Sequence, residues 1–271
     1  MSFVKKYHVG DIRPSQLLLS YGVGAILELP HLSALLMGLD DWDTRNAEEI
    51  REPRPLQAMQ SVMGKQMRRL LSPPLDETAI HNPFSTIGVP VAAFPRWMVC
   101  SACRLLASVD ADYFELKANP YHPDRTCYRH HNCGKANNPI AVPSRFIIAC
   151  KAGHLDDFPW HHFVHGDRPC KAALYMEEIG VSGEPSDIRI VCRTCHQNRS
   201  MSHAFITGED ERTYKPTCTG RSPHLRTFSK KRCRHEARTT LLSASNTWFP
   251  LVYTCLSIPE AEETLDQLID Q

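Results

Sequence analysis

Apolar positions in this chain come in short runs broken by proline, glycine and polar stretches. The runs "VPVAAFPRWMV" (89–99), "RFIIAC" (145–150), "DIRIVC" (187–192) and "WFPLVYTCLSI" (248–258) each predict a short strand. The first leads straight into "CSAC", and the other three carry a cysteine near their end. A different period appears in "RPLQAMQSVMGKQMRRLL" (54–71), where Leu56, Met59, Met63, Met67, Leu70 and Leu71 recur at helical spacing. That predicts an amphipathic helix ended by "SPPLDE", since proline cannot continue it. Its methionine stripe reads as core, with packing on a partner as the second use. "DIRPSQLLLSYGVGAILELP" (11–30) predicts two short buried elements joined by a glycine turn. "GVGAI" lacks the Gly-Lys-Ser/Thr of a phosphate loop. "PEAEETLDQLIDQ" (259–271) starts a helix with an early proline and acids in its first turn, and stops after little more than three turns.

Composition is that of an ordinary soluble protein. Hydrophobic residues make up 42% of the 271 and charged residues 23%, which is enough for a core. Proline (20) outnumbers glycine (13), which favours extended connections and short elements. The expected fold is α+β, with short strands and irregular loops organised by zinc-ribbon-like modules and a few amphipathic helices. Residues 1–90 form an N-terminal α/β segment, 91–258 a cysteine-rich region, and 259–271 the start of a truncated helix. No run of about 18 apolar residues offers a membrane span, and "MSFVKKYHVGD" has no apolar stretch behind its lysines. A cytoplasmic location follows, where thiols stay reduced. The eleven cysteines are then better read as metal ligands than as disulfides. A net charge of +1 says nothing about nucleic acid, so only local patches can.

Two cysteine sets share a plan. Cys100-x2-Cys103 is followed by Cys127 and Cys133, and Cys192-x2-Cys195 by Cys218 and Cys233. Two residues between cysteines let a tight turn aim both sulfurs at one tetrahedral centre, and a second segment supplies two more. Each set predicts a closed, structural Zn2+ site. "CYRHHNC" leaves His130 or His131 as substitutes for Cys133, and His224 or His235 could replace Cys233. The all-cysteine sets are preferred.

The stretch "CKAGHLDDFPWHHFVH" (150–165) is dense in chemistry. A third site from Cys150, His154, His165 and Cys170 fits a Cys2His2 centre. Asp156 or Asp157 would cap a short helix with Pro159 in its first turn, and His161 and His165 would share one face. The plainer alternative buries Cys150 and Trp160 as core. A rival of another class is a metal-dependent nuclease or hydrolase centred on His154, Asp156 and Asp157. Neighbours in a strand point to opposite faces, which argues against it.

Residues 221–238 hold seven cations, Arg221, Arg226, Lys230, Lys231, Arg232, Arg234 and Arg238, around Cys233. They form a candidate phosphate-binding surface that Arg96, Arg104, Arg193 and Arg199 would extend. The alternative is a solvated face offset by the acidic run 208–211. Contacts would be to backbone, since nothing here reads bases.

In one order, "RPSQLLLSYGVGAILELP", "FPRWMVCSACRLL", "RFIIACKAGHLDDFPWHHFVH", "VCRTC" and "SASNTWFP…LSIP" resemble the N-terminal half of the DrmB family. These are accessory subunits of the DISARM anti-phage defence system of prokaryotes. The resemblance covers nearly the whole chain, and "GHLDDFPW" is its most specific part. It implies a non-catalytic subunit that works with a DrmA-like helicase in a complex engaging DNA. Family members continue into a C-terminal half that these residues do not include, and that half is a further expected partner. A protein-interaction scaffold without DNA contact is the remaining reading.

Overall fold

The computed structural model describes residues 13–74, 85, 87–119, 121–206, 212–242, 244 and 247–256. In chain order the elements are α1 (Pro14–Leu19), β1 (Ile26–Glu28), β2 (Ser33–Leu36), β3 (Glu49–Ile50), α2 (Pro53–Met63), β4 (Leu70–Leu71), β5 (Val91–Ala93), β6 (Trp97–Cys100), β7 (Leu105–Ser108), β8 (Phe114–Lys117), β9 (Cys127–His130) and β10 (Ile140–Pro143). They continue with β11 (Phe146–Cys150), β12 (Leu155–Asp157), α3 (Trp160–His165), β13 (Leu174–Glu178), β14 (Ile188–Cys192), β15 (Asn198–Ser200), β16 (Arg221–Ser222), β17 (Thr227–Phe228) and β18 (Ala237–Leu241). Short antiparallel strands with a few helices are compatible with the expected α+β class.

An eight-stranded sheet, ordered β15-β14-β13-β7-β6-β10-β9-β8, forms the centre. Sheets β1-β2-β5 and β12-β11-β18 stand beside it. Alternation along the strands explains the packing, because successive side chains point to opposite faces. On β6, Val99 enters one core, while Met98 and Cys100 enter a second. On β7, Leu106 joins the first, and Leu105 and Ala107 the second. β11 splits the same way: Phe146 and Ile148 join the first core, while Ile147 meets Leu35, Phe94 and Leu242. Strands buried on both faces must read as continuous apolar runs, as these do. Trp160, fully buried beside Phe146 and Phe158, anchors α3 in the first core.

Four sequence expectations are corrected. The predicted strand 89–99 is two strands in different sheets. The predicted helix 54–71 stops at Met63, because Gly64 takes φ +91°, a left-handed value that glycine adopts without strain. Leu70 and Leu71 then pair with β3. Residues 248–256 form no strand, and Phe249, Leu251, Val252, Tyr253 and Leu256 are exposed. The aspartates do not cap α3: they lie in β12, and Pro159 occupies the cap position. The expected helix 259–271 and the acidic run 208–211 lie outside the described residues.

Candidate metal centres

Hairpin turns and strand registers collect the ligand-type side chains into three clusters of four. Site 1 is Cys100, Cys103, His130 and Cys133; site 2 is Cys150, His154, Cys218 and Cys233; site 3 is His165, Cys170, Cys192 and Cys195. Within each, the ligand atoms lie within 4.8 Å of one another.

Each Cys-x2-Cys hook is the turn of a hairpin. In site 1 it joins β6 to β7, with the Arg104 N–H donating to the Cys100 carbonyl at 3.0 Å and Arg104 at φ +65°. In site 3 it joins β14 to β15, with the Cys192 N–H donating to Gln197 O at 2.8 Å and His196 at φ +59°. In site 2 the β11–β12 turn does the equivalent work: the Cys150 N–H donates to His154 O at 3.1 Å, and Gly153, at φ +81°, closes the turn. Register brings in the rest. Cys150 pairs with Ala237, so Cys233, four residues earlier, lands beside it, with sulfurs 3.9 Å apart. Cys192 pairs with Leu174, so Cys170, also four residues earlier, lands beside it at 3.8 Å.

The spacings suit a tetrahedral ion. Two thiolates on one zinc lie about 3.8 Å apart, and a thiolate and an imidazole nitrogen about 3.6 Å. Cys100 and Cys133 sulfurs are 4.0 Å apart, and Cys103 Sγ is 3.5 Å from His130 Nδ1. His154 Nδ1 stands 3.4 Å from Cys150 Sγ and 3.6 Å from Cys218 Sγ. These separations are nearly twice the ~2.05 Å of a disulfide, and all eleven cysteines are free. His165 is 5% exposed, yet neither ring nitrogen has a hydrogen-bond partner. Burying an imidazole unsatisfied is costly unless a ligand takes up one nitrogen.

Electrostatics splits each set. Burial pushes the Cys103 thiol up to about 11, while the Lys135 N–H draws Cys133 below the ordinary value. Burial likewise takes Cys218 up to about 11. Burial also opposes ionisation of Cys192, but the Cys195 N–H and its neighbours outweigh it and bring that thiol down to about 6. Crowded thiols cannot all ionise together without a cation among them. The clusters could each hold a metal ion.

The positions differ from the expected sets in two ways. His130 takes the place expected of Cys127. Cys127 is three residues away on β9, hence on the opposite strand face, and is buried there. The missed signal was His130-x2-Cys133, which repeats the hook spacing. The second and third expected sets also trade halves: Cys192 and Cys195 meet His165 and Cys170, while Cys218 and Cys233 meet Cys150 and His154.

His154 therefore faces sulfurs, and the aspartates face elsewhere. Asp156 and Asp157 both accept from Arg221 Nη1, Thr219 Oγ1 donates to Asp156 at 2.6 Å, and the Arg96 N–H donates to Asp157 at 2.6 Å. Burial still holds the Asp157 carboxyl above its ordinary value. Arg221 is thus engaged inside the fold, and Arg226 pairs with Asp41. Lys230, Lys231, Arg232, Arg234 and Arg238 remain exposed. The arginines beside the hooks each have partners of their own. Arg96 pairs with Asp110, Arg104 with Glu178, Arg193 stacks on Tyr175 at 3.6 Å, and Arg199 donates to Phe163 O and Arg212 O.

Residues 13–249 match the family described as "Domain of unknown function (DUF8724)". The chain belongs to that family. This DUF8724 chain is also 31% identical over 180 residues to the DISARM protein DrmB of Bacillus paralicheniformis. The match covers 63% of this chain and 29% of that protein, so the chain spans less than a third of the relative's length. The resemblance read from the motifs is therefore shown: the protein is DrmB-like. Among the described residues, no helix is long and apolar enough to cross a membrane.

Proposed function

We propose that this protein is a zinc-stabilised, non-catalytic subunit of a prokaryotic anti-phage defence complex. The observation that carries the reading is the three Cys3His clusters with the edge lengths of tetrahedral sites. Three thiolates and one imidazole suit Zn2+, which bound this way is closed, structural and free of redox chemistry. The similarity to the DISARM protein DrmB supports the defence assignment. The partners are a DrmA-like helicase and the half of the family's longer members that lies outside these residues. DNA is engaged through its backbone by Lys230, Lys231, Arg232, Arg234 and Arg238, in the cytoplasm. The placement of His154 among sulfurs, and of both aspartates on Arg221, supports the absence of a catalytic role.

Native mass spectrometry with thiol titration tests it. Three zincs per chain, with nine thiols protected until chelation, is the expected result. One loosely held metal, with most thiols free, would overturn it. In parallel, purified protein with Mg2+ or Mn2+ should leave DNA uncut, and DNA binding should weaken steeply with salt. Salt-insensitive or absent binding would favour the pure scaffold.

A further inference from the structure

The segment between β17 and β18 carries Lys230, Lys231, Arg232 and Arg234 on both sides of Cys233. All four cations are exposed. At one end the Ser229 N–H donates to Gly220 O at 2.7 Å, and at the other Ala237 rejoins β11. Between these ends, residues 230–236 make no backbone hydrogen bond with the other described residues. Among the described residues, the inward attachment is Cys233, half-buried against the main core, with its sulfur beside Cys150. Beyond the segment, exposed Arg238 continues the charge along β18, which among the described strands pairs only with β11. Ordering each residue of such a loop costs conformational entropy. With no backbone bonds to offset it, the midpoint tether sets where the four charges stand.

We infer that the metal of site 2 is the latch that presents this cationic loop, so that nucleic-acid phosphate binding here requires site 2 and not site 1. The inference rests on the proposed nucleic-acid surface. With Cys233 on the metal, three cations precede the tether and one follows it, held over one patch. Released, the same charges still attract phosphate, but their ordering must then be paid for on binding. Site 1 shares no residue with the loop and packs in a different core.

The experiment compares the full chain with three variants: Cys233→Ser, Cys133→Ser, and a quadruple change of Lys230, Lys231, Arg232 and Arg234 to Ala. Each is assayed by fluorescence anisotropy on a labelled 30-nucleotide DNA, single-stranded and duplex, across a salt series. Metal content is read by native mass spectrometry. Cys233→Ser should lose one metal and weaken binding about tenfold, with a shallower salt slope, fewer phosphates being held at once. Cys133→Ser should also lose one metal, yet bind within about twofold of the parent, since its site has no loop cation. The quadruple variant should keep three metals and bind weakest. If Cys233→Ser binds like the parent, or Cys133→Ser falls equally, the latch is overturned and the surface stands. If the quadruple variant binds like the parent, the surface itself is wrong. Should the serine variant fail to fold, graded chelation of the parent answers the same question. Binding must fall in step with the metal whose loss exposes amides 230–236 to hydrogen exchange, and a fall in step with the metal of site 1 would overturn the latch.

Discussion

Site 1 and the pair formed by sites 2 and 3 solve one chemical problem with different chain logic. Site 1 draws its ligands from residues 100–133, at the turns of neighbouring hairpins, and packs in the second core of the sheet. Sites 2 and 3 draw theirs from 150–233, with site 3 nested inside the span of site 2, and both pack against the main core. A local site can be completed by two adjacent hairpins. A nested pair requires β11 to find β18, and β13 to find β14, before either cluster closes. The two regions should therefore fail differently.

The largest effect should separate them outright. A structural zinc contributes an apparent ~10 kcal/mol or more, comparable with the whole stability of a domain. Cys192→Ser removes a ligand that is itself a core residue, so amide protection should be lost throughout the main core, α3 and β14 included. Cys133→Ser should expose β8 to β10 and leave β11 and β18 protected. Hydrogen exchange read by mass spectrometry decides, and equal loss in both variants would erase the distinction.

Next comes Arg221, which ties β12 to the segment carrying Cys218 and has no counterpart at site 1. Arg221→Ala removes the counter-charge of two carboxylates that are only 15% and 12% exposed. A loss of about 3–5 kcal/mol in denaturant unfolding is expected. A loss under about 1 kcal/mol would mean the pair is solvated.

Cys127 and His130 sharpen site 1. Cys127→Ser should keep three metals and cost about 1–3 kcal/mol for an added buried hydroxyl. His130→Ala should bind two metals. The reverse outcome would restore the all-cysteine set.

The smallest effect belongs to Asp110, held below its ordinary value first by the hydrogen bond from Arg96. A carboxyl with a depressed folded value contributes stability above its unfolded value, near pH 4. That contribution disappears as pH falls through the depressed value. Because Asp110 is 67% exposed, Asp110→Asn should cost under about 1 kcal/mol at neutral pH, and nothing well below pH 4. A cost that persists in strong acid would assign the effect to packing instead.

This contrast also explains what the sequence could disclose. Hooks were legible because their spacing is a local constraint on one turn. Strands such as 145–150 and 187–192 were legible because burial on both faces leaves continuous apolar runs. Which half-site meets which was not legible, because strand pairing between residues far apart decides it. Gly64 ended a helix that the methionine period alone would have carried to Leu71. His130 was weighed only as a substitute for Cys133, because four cysteines satisfied the same chemistry on paper, whereas strand alternation turns Cys127 the other way. The partner of the two aspartates was not legible either, because Arg221 lies 64 and 65 residues away in the chain.

The most direct test exchanges zinc for 113Cd and reads which cysteine β-protons couple to each metal resonance. Three cadmium signals are predicted, each coupled to three cysteines. The cadmium that sees Cys192 and Cys195 should also see Cys170, and the one that sees Cys218 and Cys233 should also see Cys150. A single cadmium coupled to Cys192, Cys195, Cys218 and Cys233 together would contradict the account.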